Sequence, residues 1–448
     1  MAAKQRMREA GAMELVNVVV TDYAGITRGR AVPRRDYEAA KGTKTCGWVP
    51  ANMSLTPFDL IADPNPWGSR GDLRLLPDPK ARYRAWPAGA ANAMDFVMSD
   101  IVELDGAPWI CCPRAFLKAA LADFESETGC RIIAAFEQEF QILGPNWRQE
   151  PAFGYSALRR ADPFGAELMA ALEQAGIEPE AVFAEYGRDQ FEVTVAPAPA
   201  LIAADRCIAI REIVRELARL KGWRASFAPK TSAAGVGNGV HIHMSFRDRK
   251  GAAAAYDAKA PGNVSRLAGA FAAGILGHLP ALVAFTAPSP VSYLRLQPHH
   301  WSSSYTWFGV QDREASLRVC PTFTVGGQSP ARQFNLEYRA ADATASAHLA
   351  LAMVIRAGLD GLKQKLKTPP LFSGDPALLE ENERKRLGLH RLPGSLPAAL
   401  DALAADRGLC GWLAPAALDT YVGMKKMELR LAGGLEGDAL CQRYADIY

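Results

Sequence analysis

RIIAAFEQEFQIL, residues 131–143, is the stretch whose reading decides the fold. It is dense in isoleucine and phenylalanine, which favour a pleated, half-buried surface. It also sets Glu137 and Glu139 two positions apart, and in a strand residues i and i+2 share a face. Ile132, Ile133, Phe136, Phe140 and Ile142 around them are apolar. Two carboxylates in such company cost free energy unless they are paired or hold a cation.

Working outward, the same device recurs. GNGVHIHMSF (237–246) sets His241 and His243 two apart, after a run of glycines that lets backbone approach a neighbour closely. FNLEYRA (334–340) does the same with Glu337 and Arg339, and AEYGRDQFEVTVAP (184–197) adds Glu185 and Glu192. Five glutamates and a histidine, drawn from four distant segments, read as ligands for hard divalent cations, Mg²⁺ or Mn²⁺.

The bulk numbers bound the alternatives. The 448 residues suffice for two domains or one large one. With 51 basic and 48 acidic residues the net charge is only +3, which gives no support to a nucleic-acid partner. Met1 to Ala12 carries Lys4, Arg6 and Arg8 without a following apolar core, so no secretory signal is expected there. No run of eighteen apolar residues occurs, so no membrane span is expected. The eight cysteines include no C-x-x-C, which argues against a disulfide framework or a zinc motif and for a reducing cytoplasm.

The pattern changes near residue 108. Residues 1–107 read as a small β-rich domain, with strands at 13–20, 27–32, 72–76 and 93–102 and a turn at Asp22–Gly25. Residues 108–448 alternate strands and helices. Helices are expected at 113–129, 165–175, 203–220, 264–278, 343–367, 382–387, 396–403 and 413–431, with 343–367 deeply buried.

Eight stretches together resemble the glutamine synthetase superfamily, in its order and over nearly the full length: GDLRLLPDP, FEQEFQIL, AEYGRDQFEV, GNGVHIHMSF, SYLRL, DREASLRV, NLEYR and AGLDGLKQKL. The resemblance implies an α+β fold, with an N-terminal β-grasp domain (1–107) and a catalytic domain (108–448) built on a curved antiparallel sheet with flanking helices. It implies self-association into rings, a dodecamer of two hexamers, with active sites shared between neighbouring subunits. Glu139, Glu185 and Glu192 match the ligands of the metal beside the amino-acid substrate. Glu137, His241 and Glu337 match those of the metal between the nucleotide phosphates. Arg295 and Arg339 match arginines at the substrate carboxylate, Arg313 and Arg318 match arginines that neutralise transferred phosphate, and His243 and Ser245 match residues near ATP. Gly237 and Gly239 match the loop over glutamate. Read as an alternating strand, a spacing of five would point Arg313 and Arg318 to opposite faces.

The departures concern the nitrogen donor. In this family an N-terminal aspartate and a flap glutamate handle ammonium. The matching places here are CGWVPA (46–51), without an acid, and Trp301 in LQPHHWSSSY (296–305). A site with Trp48, His299, His300 and Trp301 suits a bulkier amine, with His299 or His300 as base. The expected function is therefore an ATP-dependent ligase joining the γ-carboxylate of glutamate to an organic amine through γ-glutamyl phosphate. The alternatives are a glutamine synthetase using ammonium and, in another class, a non-catalytic structural or regulatory relative. Val236 in the glycine loop, Asp312 and Asn335 also depart from the family pattern.

Overall fold

The structure, a computed structural model, describes residues 13–448. The segment from Met1 to Ala12, with its expectation of no secretory signal, lies outside the described residues. Two sheets and a helical layer make up the architecture. The first sheet runs β2-β1-β5-β4-β3, from β1 (Leu15–Thr21), β2 (Thr27–Pro33), β3 (Cys46–Trp48), β4 (Leu73–Ala85) and β5 (Met94–Val102). Its central pair, β1 and β5, is parallel, and the other ladders are antiparallel. The Asp22 turn joins β1 to β2: Asp22 Oδ1 accepts from the amides of Ala24 and Ile26, each at 2.9 Å, and Gly25 takes φ +74°. The strand expected at 72–76 is the start of the long β4, which continues to Ala85 past an irregularity between Pro77 and Arg82.

The second sheet is curved and carries the polar segments. It runs β12-β13-β14-β11-β6-β8-β7, with β9 and β10 also paired to β6. The strands are β6 (Cys130–Leu143), β7 (Pro179–Ala184), β8 (Gln190–Val195), β9 (Ala198–Pro199), β10 (Arg224–Ser226), β11 (Val240–Asp248), β12 (Phe308–Val310), β13 (Leu317–Val319) and β14 (Leu336–Tyr338). All ladders are antiparallel but β12–β13. Alternation along β6 holds up to Phe140: Ile132, Phe136, Phe140 and Ile142 are buried in the core, and the Glu137 and Glu139 side chains are part-exposed on the other face.

Helices α1 (Pro113–Thr128), α2 (Ala200–Leu220), α3 (Arg266–Thr286) and α4 (Ala347–Lys363) cover the apolar face. Two of them differ from expectation. Helix α3 begins later, where the Ser265 side chain accepts from Ala268 N at 3.1 Å, and runs past 278 through Pro280. A proline normally breaks a helix by removing a donor, but here both flanks are buried in the core. By length and a mean hydropathy of 1.8, α3 passes for a membrane span, although no run of eighteen apolar residues exists; 67% of that window is buried inside the fold. Helix α4 is shorter than 343–367 because Asp342 Oδ1 accepts from Thr344 N at 3.0 Å and holds that segment in a turn. As expected, α4 is buried along most of its length. All eight cysteines are free.

Candidate active site

The strand registers assemble the polar residues into one row. Across β13–β14, Arg318 faces Glu337; across β14–β11, Glu337 faces His243. Across β11–β6, His241 faces Glu137; across β6–β8, Glu139 faces Glu192. Glu185 follows the end of β7 directly. Because i and i+2 share a face, each two-apart pair delivers both of its members to the same side. A cavity of about 1260 Å³ opens over this row.

The row has two electrostatic halves. In the first, His241 Nδ1 lies 3.3 Å from Glu137 Oε2 and 3.6 Å from Glu337 Oε1, and His243 Nε2 lies 3.0 Å from Glu137 Oε1. Arg318 Nη1 donates to Glu337 Oε2 at 2.7 Å, and Arg339 pairs with the other oxygen. Burial pushes Glu337 up, but Arg339, His241 and His243 more than offset it and hold the carboxyl at about 2. Glu137 is likewise held well below the carboxylate range, its burial outweighed by His243 and His241.

The second half is acid alone. Burial pushes Glu192 up to about 10, and Glu137, Glu139 and Glu185 push in the same direction. Burial also raises Glu185, with Glu139 adding to it. Gln190 braces this half: its Nε2 reaches Glu139 Oε2 at 3.3 Å, Gly237 O at 2.9 Å and Asn238 Oδ1 at 2.9 Å. One buried and two half-buried carboxylates, none in a salt bridge with a guanidinium or ammonium, fit a dication.

The first half fits one too. Glu137, His243 and Glu337 offer ligand atoms within 4.8 Å of one another. His243 Nδ1 donates to Asn335 Oδ1 at 2.9 Å, and that bond directs its Nε2 at the acids. Nε2 finds no hydrogen-bond partner of proper angle despite the nearby Glu137. His241, the histidine expected among these ligands, stands beside this grouping, its Nδ1 3.3 Å from Glu137 and 3.6 Å from Glu337. The two histidines are indistinguishable in sequence because both point to the same face of β11.

Arg295 sits behind His241. Its Nη1 donates to Ala341 O at 3.1 Å, and Nη2 lies 3.5 Å from His241 Nε2. This packing is why Gly237 and Gly239 are glycines. A Cβ at Gly239 would lie 2.5 Å from Arg295 Nη2, and one at Gly237 would lie 2.7 Å from Arg295 Cγ. The close approach is thus first of all to the arginine.

The other expected residues fall into four groups. Arg313 and Arg318 line the same cavity, because the strand begins only at Leu317 and Arg313 lies in the preceding turn. Ser245 shares the histidines' face but lies beyond the cavity lining, opposite Ile133. Trp48 is buried within the first sheet and does not line this chain's cavity. His299 and His300 both line it, yet His299 Nε2 is engaged by Asp375 Oδ2 at 2.7 Å, which raises its pKa. Burial, Lys230 and His299 lower that of His300.

Sequence reasoning missed the clamp on this loop. Glu314 accepts from His299 N at 3.1 Å and Trp301 N at 2.5 Å, and Arg339 Nη2 donates to Trp301 O at 3.1 Å. These bonds hold His299 and Trp301 at φ +63° and +52°, left-handed conformations that side chains rarely adopt. An acid directly after Arg313 was the available signal. Phe153, Tyr186, Lys230 and Cys320, which also line the cavity, carried none.

Comparison with known proteins places this geometry. Residues 110–434 match the family model described as "Glutamine synthetase, catalytic domain", and residues 4–109 match "Glutamine synthetase N-terminal domain". The chain is 35% identical to Gamma-glutamylpolyamine synthetase GlnA3 of Streptomyces coelicolor, over 96% of this chain and 92% of that one. It is 30% identical to a glutamine synthetase of Thermococcus kodakarensis, over 86% and 83% of the respective chains. A solved structure titled "Crystal structure of novel glutamine synthase homolog" superposes with a TM-score of 0.89 at 46% identity, over 97% of this chain and 99% of that one.

Proposed function

The chain belongs to the glutamine synthetase family of ATP-dependent ligases, and from that premise we propose that it joins the γ-carboxylate of glutamate to an organic amine. The single observation that carries the choice of amine is Trp301. It stands six residues after Arg295, 61% exposed on the cavity loop, where a carboxylate would serve ammonium. The similarity to a polyamine synthetase agrees with an organic amine, and the similarity to glutamine synthetases favours ammonium as the second reading.

The chemistry follows from the charges. The γ-carboxylate oxygen attacks the γ-phosphorus of ATP, the bond to the ADP oxygen breaks, and an acyl phosphate forms. The amine nitrogen then attacks the acyl carbon and phosphate leaves. The role proposed for Arg295 and Arg339 is to grip the glutamate carboxylate, since a guanidinium pairs with it bidentately. Arg313 and Arg318 offset the charge on the transferring phosphoryl group. Glu139, Glu185 and Glu192 would hold one Mg²⁺ or Mn²⁺, and Glu137, Glu337 and a histidine of the 241/243 pair a second. Such ions supply charge neutralisation at the phosphoryl oxygens. His300, with its lowered pKa, is neutral at pH 7 and suits removal of the amine proton. The enzyme would act in the cytoplasm as a homo-oligomeric ring, the assembly common in the family.

The test is glutamate-dependent phosphate release from ATP with ammonium and with organic amines in parallel. At least one organic amine should exceed ammonium in kcat/KM by about tenfold or more. Ammonium preferred by that margin removes the organic-amine reading.

A further inference from the structure

Three large aromatic side chains stand in water at the cavity and are held there. Phe153 is 53% exposed, Tyr186 64% and Trp301 61%, and all three line the cavity. Such rings gain by burial, and exposed clusters of them mark contact sites. Phe153 and Tyr186 form a tilted pair, ring centroids 6.2 Å apart. Both are tied to Glu185: Tyr186 N donates to its Oε2 at 2.9 Å, and Phe153 N to its carbonyl at 3.5 Å. Phe153 (φ +56°) and Trp301 (φ +52°) both sit in the left-handed region, so neither ring is there by default of an easy backbone.

The charges around these rings are one-sided. The carboxylates lining the cavity all belong to the acid row, with Glu185 the one attached to the aromatic pair. Glu314 and Asp375 are spent on the 299–301 loop. The remaining charged groups on this lining are cationic: Lys230, whose Nζ donates to Ala233 O at 2.7 Å, Arg295, Arg313, Arg318 and Arg339. The 43–56 segment, TKTCGWVPANMSLT, which the family resemblance would bring to a neighbour's site, has no acid to add.

We infer that the amine substrate is a primary amine with a single nitrogen and a flat or apolar tail, the tail against Phe153, Tyr186 and Trp301. The inference rests on the amine-ligase reading and narrows it. A polyamine needs a carboxylate for its second ammonium, and the carboxylates on this lining are those of the acid row already proposed to hold the dications. An aromatic face attracts one cation and covers an apolar tail, without supplying that second charge.

The test uses the full-length enzyme with glutamate, ATP and four amines: methylamine, 2-phenylethylamine, putrescine and spermidine. kcat/KM for 2-phenylethylamine should exceed that for putrescine and spermidine by about tenfold or more. In Phe153→Ala and Tyr186→Ala the ratio of 2-phenylethylamine to methylamine should fall by about tenfold, and Phe153→Tyr, which keeps the ring, should retain it. Putrescine or spermidine as the better substrate overturns this inference and leaves the organic-amine ligase intact. An equal loss for both monoamines in the alanine variants overturns the aromatic contact. Turnover with ammonium alone overturns the underlying reading as well.

Discussion

Two of the charge clusters among the described residues, one around Arg114 and one around Glu192, solve the same problem in opposite ways. Around Arg114, 3% exposed, every charge has a protein partner. Arg114 reaches Asp205 through two bonds at 2.9 and 2.8 Å, Asp78 at 2.8 Å and Asp100 at 3.2 Å. His348 adds a 2.8 Å contact to Asp205. Burial pushes Asp205 up, but bonds from His348 and Arg114 bring it below the ordinary aspartate value. This cluster joins β4 and β5 of the first sheet to α1, α2 and α4. Around Glu192 the acids have one another, and burial with three neighbouring carboxylates pushes that group up to about 10. A cluster that serves only the fold is closed on itself; one that serves a reaction is left incomplete for ligands to finish.

The comparison can be broken by substitution, beginning with the largest effect. Arg114→Ala removes the guanidinium shared by Asp205, Asp78 and Asp100 and should destabilise the fold by about 3–5 kcal/mol, read by chemical denaturation. Glu337→Gln should lower kcat by about 10²–10³-fold, since it removes one negative ligand from the phosphoryl end of the row. Saturating Mg²⁺ or Mn²⁺ with ATP should stabilise the enzyme by RT ln(1 + [L]/Kd), about 2.7 kcal/mol at a hundredfold excess over Kd, read as a rise in Tm. Stability indifferent to these ligands would favour the non-catalytic relative. Glu192→Gln should stabilise the metal-free protein by about 1 kcal/mol and abolish most of the metal-induced rise. Asp205→Asn, by contrast, should destabilise it.

The smallest effect is a difference in pH slope. Glu192 has its pKa raised on folding, from 4.5 to about 10, so across that window the folded state holds the extra proton and metal-free stability falls as pH rises. Asp205 has its pKa lowered, so its contribution is present above the unfolded value of 3.8 and is lost as pH falls through the folded value. Metal-free Tm measured from pH 6 to pH 9 should decline, and Glu192→Gln should flatten the decline.

Much of the site was legible beforehand because its signals are local. A two-residue spacing in a β-prone run sets two side chains on one face whatever surrounds it, so Glu137/Glu139, His241/His243 and Glu337/Arg339 could be read as pairs. The places where reading failed are those where distant chain segments decide. Arg313 joins Arg318 because a turn, rather than strand, precedes Leu317. Trp48 disappears into the packing of its own sheet. Glu314 becomes a clamp only because the 299–301 loop folds over it, and Phe153 and Tyr186 become cavity walls only through their bonds to Glu185.

By itself, then, the amino-acid order determined which residues are polar in apolar strands, the α+β class, and the set of acids and arginines available for dications and phosphate. Tertiary structure alone decided that Arg318, Glu337, His243, His241, Glu137, Glu139 and Glu192 form one row, that His243 stands with the first acids as closely as His241, and that Arg114 closes one charge cluster while the other stays open. The physical reason is range: side-chain alternation is a property of a few adjacent residues, whereas the partner of a buried charge is chosen by strand register and helix packing across the whole chain.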